Sequence, residues 1–351
     1  MKIKNVVLAM ALGFLCVACN KDDDEAIIPL GAYENGILVS NEGPFSNGTG
    51  TVSFISEDLT TTENAIFNAV NNADLGNVVQ SIGFTDEYAY IIANVSNMIT
   101  VVDRYTFENK ATISQGLANP RYFLFANGKG YVTNWGDPND ETDDFVAIIN
   151  LETNSVSNTI PVDFGPEKII SQDEKVYVAH QGGYGQNNSI SVINTQTDQL
   201  ATTISVADVP NAMQVTSNGD LWVLCGGKPS YTQDETAGAL LKINTDSNSV
   251  ENTLAFETTE HPNFLELDGS KLYYFLNGAV YAMETSDTVL PSLPIMENLN
   301  FYTMVVHDGK LYGTDAKDFA SNGSLTIYDI GTKGLLGTFD VGIIPGGIYL
   351  N

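Results

Sequence analysis

The five residues Val146-Ala-Ile-Ile-Asn150 read apolar, variable, apolar, apolar, then a polar turn former. The same pattern returns as Val52-Ser-Phe-Ile-Ser56, Ile99-Thr-Val-Val-Asp103, Ile190-Ser-Val-Ile-Asn194, Leu240-Leu-Lys-Ile-Asn244, Val280-Tyr-Ala-Met-Glu284 and Leu325-Thr-Ile-Tyr-Asp329. Its closing positions stand 47, 47, 44, 50, 40 and 45 residues apart. β-Branched and aromatic residues dominate, which predicts strands, and the spacing is too tight for helices between them. A closing Asp or Asn can accept hydrogen bonds from the backbone just beyond it, which reverses the chain.

Upstream of each copy lies a turn followed by a strand with a large side chain: Asn127-Gly-Lys-Gly-Tyr131, Asp173-Glu-Lys-Val-Tyr177, Asn218-Gly-Asp-Leu-Trp222, Asp268-Gly-Ser-Lys-Leu-Tyr273 and Asp308-Gly-Lys-Leu-Tyr312. Asn-Gly and Asp-Gly suit the positive φ of tight hairpins. Before each turn comes a further strand, opened by Pro120, Pro166, Pro210, Pro262 or Pro345, where a missing N–H removes no ladder bond. Four antiparallel strands about every 46 residues make a propeller blade. Seven copies predict an all-β, seven-bladed β-propeller. Ile344–Leu350 reads as a first strand with nothing after it, and Gly36-Ile-Leu-Val-Ser40 as a second strand with nothing before it. Together they complete one blade, so N- and C-terminal strands close the ring and leave no long unpaired edge.

The 351 residues carry 15 Lys and Arg against 43 Asp and Glu, a formal charge of −28. That field repels phosphate backbones and anionic headgroups, so no nucleic-acid partner is expected and any membrane attachment is covalent. Hydrophobic residues at 43% are enough for a large core. The cysteines are Cys16, Cys19 and Cys225, and the histidines His180, His261 and His307. Cys225 is left without a partner in the mature chain, and the count excludes a structural four-Cys or Cys/His zinc site.

The division expected is 1–18 signal peptide, 19–31 acidic tether and 32–351 propeller. Lys2 and Lys4 precede an apolar run, Val6–Ala18, too short to span a bilayer. Val17-Ala18-Cys19 resembles the bacterial lipoprotein box, with lipidation at Cys19; the departure is Cys16, where that box usually has Leu. The following Asn20-Lys21-Asp22-Asp23-Asp24-Glu25 resembles the surface-export signal of Bacteroidota lipoproteins. An outer-membrane, cell-surface location follows from those resemblances.

The repeats resemble YncE-like seven-bladed propellers. Val39-Ser-Asn-Glu-Gly43 with Asn47-Gly-Thr-Gly-Thr-Val-Ser53, behind the acidic tether, is similar to surface propellers of the DUF5074 kind. That group includes BtuG-type lipoproteins, and the resemblance implies capture of a corrinoid (vitamin B12) and its delivery to a TonB-dependent outer-membrane transporter. A protein- or glycan-binding adhesin and a metal-dependent hydrolase or lyase using Glu167 or His180 remain the alternatives.

The long loops, Asn41–Gly50, Asn134–Asp144, His180–Ser189, Cys225–Gly238 and Asp315–Gly323, leave second strands and so share one face. They carry Phe45, Asn47, Trp135, Tyr184, Gln186, Tyr231 and Phe319, and Tyr302 stands before the last unit's first strand. Aromatics in Gly-rich loops suit stacking on a ligand, or fold back as loop anchors. Residues just after the strand-opening prolines, Arg121, Glu167, Asn211 and Asn263, should rim the channel. Arg121 is expected to pair with a carboxylate, and the amides can donate and accept to an amide-fringed ligand.

The stretch Asp137-Pro-Asn-Asp-Glu-Thr-Asp-Asp144 packs five carboxylates without EF-hand spacing and reads as a solvated loop rather than a metal site. No P-loop and no Gly-x-Ser-x-Gly elbow occurs. No cofactor, metal or catalytic set is assigned. His180 reads as a hydrogen-bonded loop residue, His261 and His307 as structural, and Cys225 as a buried thiol.

Overall fold

The computed structural model describes residues 30–45 and 48–351. The signal segment, Cys19, most of the tether, and Asn47 lie outside the described residues.

Seven antiparallel sheets form a seven-bladed β-propeller. Every copy of the repeat falls in the third strand of its blade: Thr51–Ser56, Met98–Asp103, Phe145–Asn150, Ser189–Asn194, Ala239–Asn244, Ala279–Glu284 and Asn322–Asp329. Blade 1 is shared by the two ends of the chain. Its strand order is Pro345–Leu350, Gly36–Asn41, Thr51–Ser56, Thr62–Glu63, with Ile37 opposite Leu350 and Val39 opposite Ile348. Asn351 extends the seam by donating its N–H to Gly36 O (2.9 Å), and Arg104 Nε donates to its Oδ1 (2.6 Å).

Both faces of each sheet are covered by neighbours, so the core is divided into seven clusters, one per blade boundary. Tyr90, Ile92, Phe123 and Val132 fill the boundary of blades 2 and 3, and Tyr177, Val192, Leu221 and Val223 that of blades 4 and 5. Each fully buried Ile or Leu there contributes about 1.5–3 kcal/mol over its exposed state. The second-strand side chains Tyr131, Tyr177 and Trp222 are fully buried, as their place between two sheets requires. The hairpin turns Asn127-Gly128 and Asp308-Gly309 have positive φ at both residues (47° and 73°, 48° and 68°). A Cβ on either glycine would meet nothing, so dihedral freedom alone selects Gly there.

The closing Asp and Asn side chains act as expected. Asp103, Asn150, Asn194 and Asn244 each accept two backbone N–H bonds of 2.9–3.1 Å from the residues two and three positions on. Asp329 accepts one from Thr332 (2.7 Å). These five blades have full fourth strands. The two copies that end otherwise do not. Blade 1, closing on Ser56, keeps a two-residue fourth strand, and blade 6, closing on Glu284, has none. The longer Glu284 carboxylate turns back to the hydroxyl of Ser270 (2.8 Å). Pro291 and Pro294 then deny the following segment its ladder donors, leaving one bridge, Val280 to Met296. The expectation of four strands in every unit is corrected for blade 6.

The expectation of no intervening helix is also corrected. Ile66–Asn71 is helical after the truncated strand of blade 1, with Ile66 and Phe67 buried in the cluster shared with blade 2. A short fourth strand cannot cover that boundary, so a helical turn supplies the apolar surface. A single 3-10 turn, Ser230–Thr232, interrupts the long loop of blade 5.

Candidate site at the channel mouth

The first strands of all blades but the seventh begin with a bulge. The register slips between Pro120 and Phe123 in blade 3, and between Pro166 and Ile169 in blade 4. Arg121-Tyr122 and Glu167-Lys168 therefore stand off the ladder, and a bulge re-aims adjacent side chains that regular alternation would send to opposite faces. Similar slips follow Val79, Pro210 and Asn263.

Arg121 donates Nε to Glu167 Oε2 (2.8 Å) and an Nη to Oε1 (2.9 Å), a fork across two blades. The expected carboxylate partner is thus the next rim residue. The guanidinium also lies 3.9 Å from the centre of the Trp135 ring. Burial opposes its charge, but Glu167 outweighs burial and raises its pKa. Trp135 is buried rather than presented to solvent, and Tyr184 meets it edge-on at 6.1 Å. Its role is that of a floor.

The loops that carry the other aromatics are pinned from below. In blade 4, Gln181 N–H donates to Gly165 O (3.0 Å) and Asn187 Nδ2 to Phe164 O (2.8 Å). Gly165 has φ +67°, and a Cβ there would strike the backbone of Gly182 and Gly183. In blade 5, His261 bonds Gly226 O through Nδ1 (2.8 Å) and reaches Glu235 through Nε2 (3.2 Å). Tyr184 and Tyr231 ride on these frames 71% and 79% exposed, and Phe45 and Phe319 are exposed as well. Side chains left so bare on braced loops add nothing to the core.

Two adjoining cavities open at the mouth. One, of about 590 Å³, is lined by Phe45, Arg121, Trp135, Asn94, Asn97 and Asn119 among others. The second, of about 650 Å³, is lined by Gln186, Asn211, Tyr231, Asn263, Glu167 and His261 among others. They share Glu42, Gln80, Tyr184 and Tyr302. Tyr302 donates its hydroxyl to Glu42 Oε1 (2.8 Å) and packs edge-on with Phe319 at 5.6 Å. Burial raises the pKa of Glu42, with Tyr302 and Arg121 pulling the other way. Ten of the eleven sequence-derived candidates are described. All line one of the two cavities except Phe319, which joins only through Tyr302. The amide of Asn211 donates to Pro262 O (2.9 Å) and Asn263 Oδ1 (3.0 Å), and its own Oδ1 has no partner among the described residues.

Sequence reasoning missed Glu42, Gln80, Tyr122 and Lys168. Gln80 occupies in blade 2 the position Arg121 holds in blade 3, but Val79 stands where the marker proline would be. Tyr122 and Lys168 follow the found residues directly, and only the bulge brings them to the same channel.

His180 is the last residue of a strand, not a loop residue: it is fully buried, with Nε2 2.8 Å from Ser191 Oγ. Burial pushes its pKa down to about 4, Asp163 opposing. Cys225 is a buried free thiol whose pKa burial raises, and His307 ends a strand of blade 7 on the opposite face. In the acidic loop, Asp137 accepts from Asn139 N–H (3.0 Å), Asp140 from Thr142 N–H (3.0 Å) and Asp143 from Asp137 N–H (2.9 Å). The carboxylates brace the loop, and among the described residues no group of three metal-ligating side chains converges.

Solved structures share the fold. A Quinonprotein alcohol dehydrogenase-like protein of Bacteroides thetaiotaomicron aligns with TM-score 0.66 at 14% identity, over 91% of this chain and 78% of its own. Hydrazine synthase of Kuenenia stuttgartiensis aligns with TM-score 0.59 at 17% identity, over 76% and 87%. BamB of Moraxella catarrhalis aligns with TM-score 0.53 at 14% identity, over 88% and 83%. At such identities these likenesses establish architecture only. No curated protein matches the chain. The family described as Domain of unknown function (DUF5074) matches residues 35–264, which take in three of the four strands of blade 1, all but Pro345–Leu350, and blades 2 to 5. The chain belongs to the DUF5074 family.

Proposed function

We propose that this propeller is a lipid-anchored, cell-surface binding protein that captures a corrinoid at its channel mouth and hands it to a TonB-dependent outer-membrane transporter. The observation that carries the reading is the set of exposed aromatics, Phe45, Tyr184 and Tyr231, on the walls of two joined cavities otherwise rich in amides. Ring faces left bare on braced loops gain by stacking on a flat, rigid ligand. Amide walls suit a ligand fringed with amides, each of which donates and accepts. Both cavities lie in the size range of small-molecule sites. A rigid ring meeting a rigid ligand loses little freedom on binding.

The anchor and location rest on Val17-Ala18-Cys19 and the acidic residues after it. Calorimetry of the mature protein with cyanocobalamin tests the capture step. Saturable heat at micromolar protein with one ligand per chain supports it; absence of heat and of any spectral change removes corrinoid from the reading. Co-purification with an outer-membrane transporter from the native membrane tests the delivery step, and recovery of a non-transport surface protein instead would favour the adhesin.

A further inference from the structure

Below the mouth, the channel narrows to a third cavity of about 270 Å³ ringed by the first strands of blades 3 to 7 and of blade 1. It shares Tyr122, Lys168, Asn211, Phe264, Thr303 and Gly346 with the mouth, so the two are continuous. Lys168 is the one cation in its wall and Glu266 the one carboxylate.

Among the described residues no carboxylate lies within 4.0 Å of Lys168 Nζ, although the chain holds 43 of them. Its ammonium rests 4.1 Å from the centre of the Tyr122 ring. Burial works against the charge, but the Tyr122 hydroxyl group and Glu167 outweigh it and raise the Lys168 pKa, so the ammonium keeps its proton. The carboxylates nearby do not neutralise it. Glu167 is forked by Arg121, and Glu42 is held at the mouth by Tyr302. Glu266 is enclosed in the wall, and burial pushes its carboxyl up to about 8 against Lys168 and the Val306 N–H, so it holds a proton at neutral pH.

The rest of the wall offers donors. The hydroxyl of Tyr349 accepts from Ile82 N–H (2.9 Å) and stands beside the Ser40 hydroxyl. Gly346 and Gly347 present bare backbone; a Cβ on Gly346 would meet Glu42 at 2.8 Å, and one on Gly347 would strike the Tyr349 hydroxyl. A half-buried ammonium with no carboxylate within ion-pair distance, lining an open cavity beside hydroxyl groups, offers a small anion a charge-assisted partner.

We infer that the cavity around Lys168 is an oxyanion site, taking a carboxylate or phosphate group between Lys168, the Tyr122 and Tyr349 hydroxyls and the Glu266 carboxyl. The site stands independently of what occupies the mouth. The charged and titratable groups that surround Lys168 are Glu167, Glu266, Tyr122 and Tyr349. Occupancy falls as Glu266 ionises near pH 8, because two negative charges then compete for one ammonium.

The test is a titration of the whole mature protein, labelled with 13C at lysine Cε, with acetate and separately with inorganic phosphate. Lys168→Arg, which keeps the cation and removes the resonance, assigns the Lys168 signal. The expected result is a saturable shift of that signal with at least one anion, while surface lysines drift linearly. Saturation by acetate alone identifies a carboxylate site, and by phosphate alone a phosphate site. In Glu266→Gln the shift persists above pH 8, where in the wild type it weakens several-fold. A Lys168 signal that moves only linearly with both anions, or that titrates identically in Glu266→Gln and wild type across pH 8, overturns the inference.

Discussion

Arg121 and Glu167 hold each other across the boundary of blades 3 and 4, by two parallel contacts of 2.8 and 2.9 Å. Each is the residue after a strand-opening proline, and each is released from its ladder by a bulge. The side chains are 13% and 8% exposed, so water screens the pair little.

Removing one partner leaves the other charge buried, at a cost of about 3–5 kcal/mol. Arg121→Gln and Glu167→Gln should each lower the free energy of unfolding by that order. The double change Arg121→Leu with Glu167→Leu should be milder than either single change, because no charge is stranded. Urea unfolding of the three variants checks this, and a double variant worse than both singles would contradict it.

The rim tyrosines separate binding from folding. Tyr184→Ala and Tyr231→Ala remove side chains that are 71% and 79% exposed, so stability should stay within about 0.5 kcal/mol. Affinity for the mouth ligand should fall by about 0.5–1.5 kcal/mol for each lost stacking ring. Calorimetry beside thermal melts reads both quantities. Trp135→Ala should lose both, since that ring is buried under Arg121.

Asp144 makes stability depend on pH. It is 2% exposed, and its carboxyl is pushed up to about 7, by burial first, with Asp143, Asp140 and Asp163 adding and the Gly165 N–H opposing. The fold holds this proton more tightly than the unfolded chain does. Its stabilising effect is therefore complete below the ordinary carboxylate range and is lost as pH rises through 7. Asp144→Asn keeps an oxygen for Gly165 and should melt above wild type at pH 8 but not at pH 4. Equal melting shifts at both pH values would refute the assignment.

The seam can be opened from one end. Deleting residues 345–351 removes the strand paired with Gly36–Asn41 and exposes that edge and the Val39 and Ile55 cluster beneath it. The truncated chain should bind a hydrophobic dye and self-associate on size-exclusion chromatography, because an unpaired edge recruits other strands. A monomeric, dye-free truncation would show that the closing strand is dispensable.

The closing Asp and Asn side chains cap the turns of five blades. Asn150→Ala removes two bonds of 2.9 and 3.0 Å at an exposed turn and should cost about 1 kcal/mol. Glu284→Ala, where no such turn exists, should cost less. Thermal melts of the pair give the comparison.

The face, the rim and nine of its lining side chains were legible because each is a local fact. Tyr184 and Tyr231 sit in Gly-rich loops of unequal length, and Arg121, Asn211 and Asn263 follow prolines. Readings failed where local pattern met its neighbours, as in the helix Ile66–Asn71 that the strand spacing did not predict. His180 looked like a loop residue because the apolar run ends beside it, yet pairing with Ser189 extends the strand through it and buries the ring. Blade 6 repeats the third-strand pattern but ends on Glu284, and a carboxylate one carbon longer does not cap the turn its shorter homologue does.

By itself the sequence determined strands, their turns, the number of blades and the way two chain ends share one of them. These follow from alternation, positive-φ residues and the period of the repeat, all of which act within about one blade's length. Tertiary structure alone decided which charges meet in the channel. Arg121 reaches Glu167, 46 positions away, and Lys168 lines the channel without such a partner, because the ring brings equivalent first strands together and the bulges turn consecutive side chains inward. Neither the closure of the ring nor the bulge is visible in any single segment, so the pairing, and the ammonium left without a partner, appear only when all seven blades are in place.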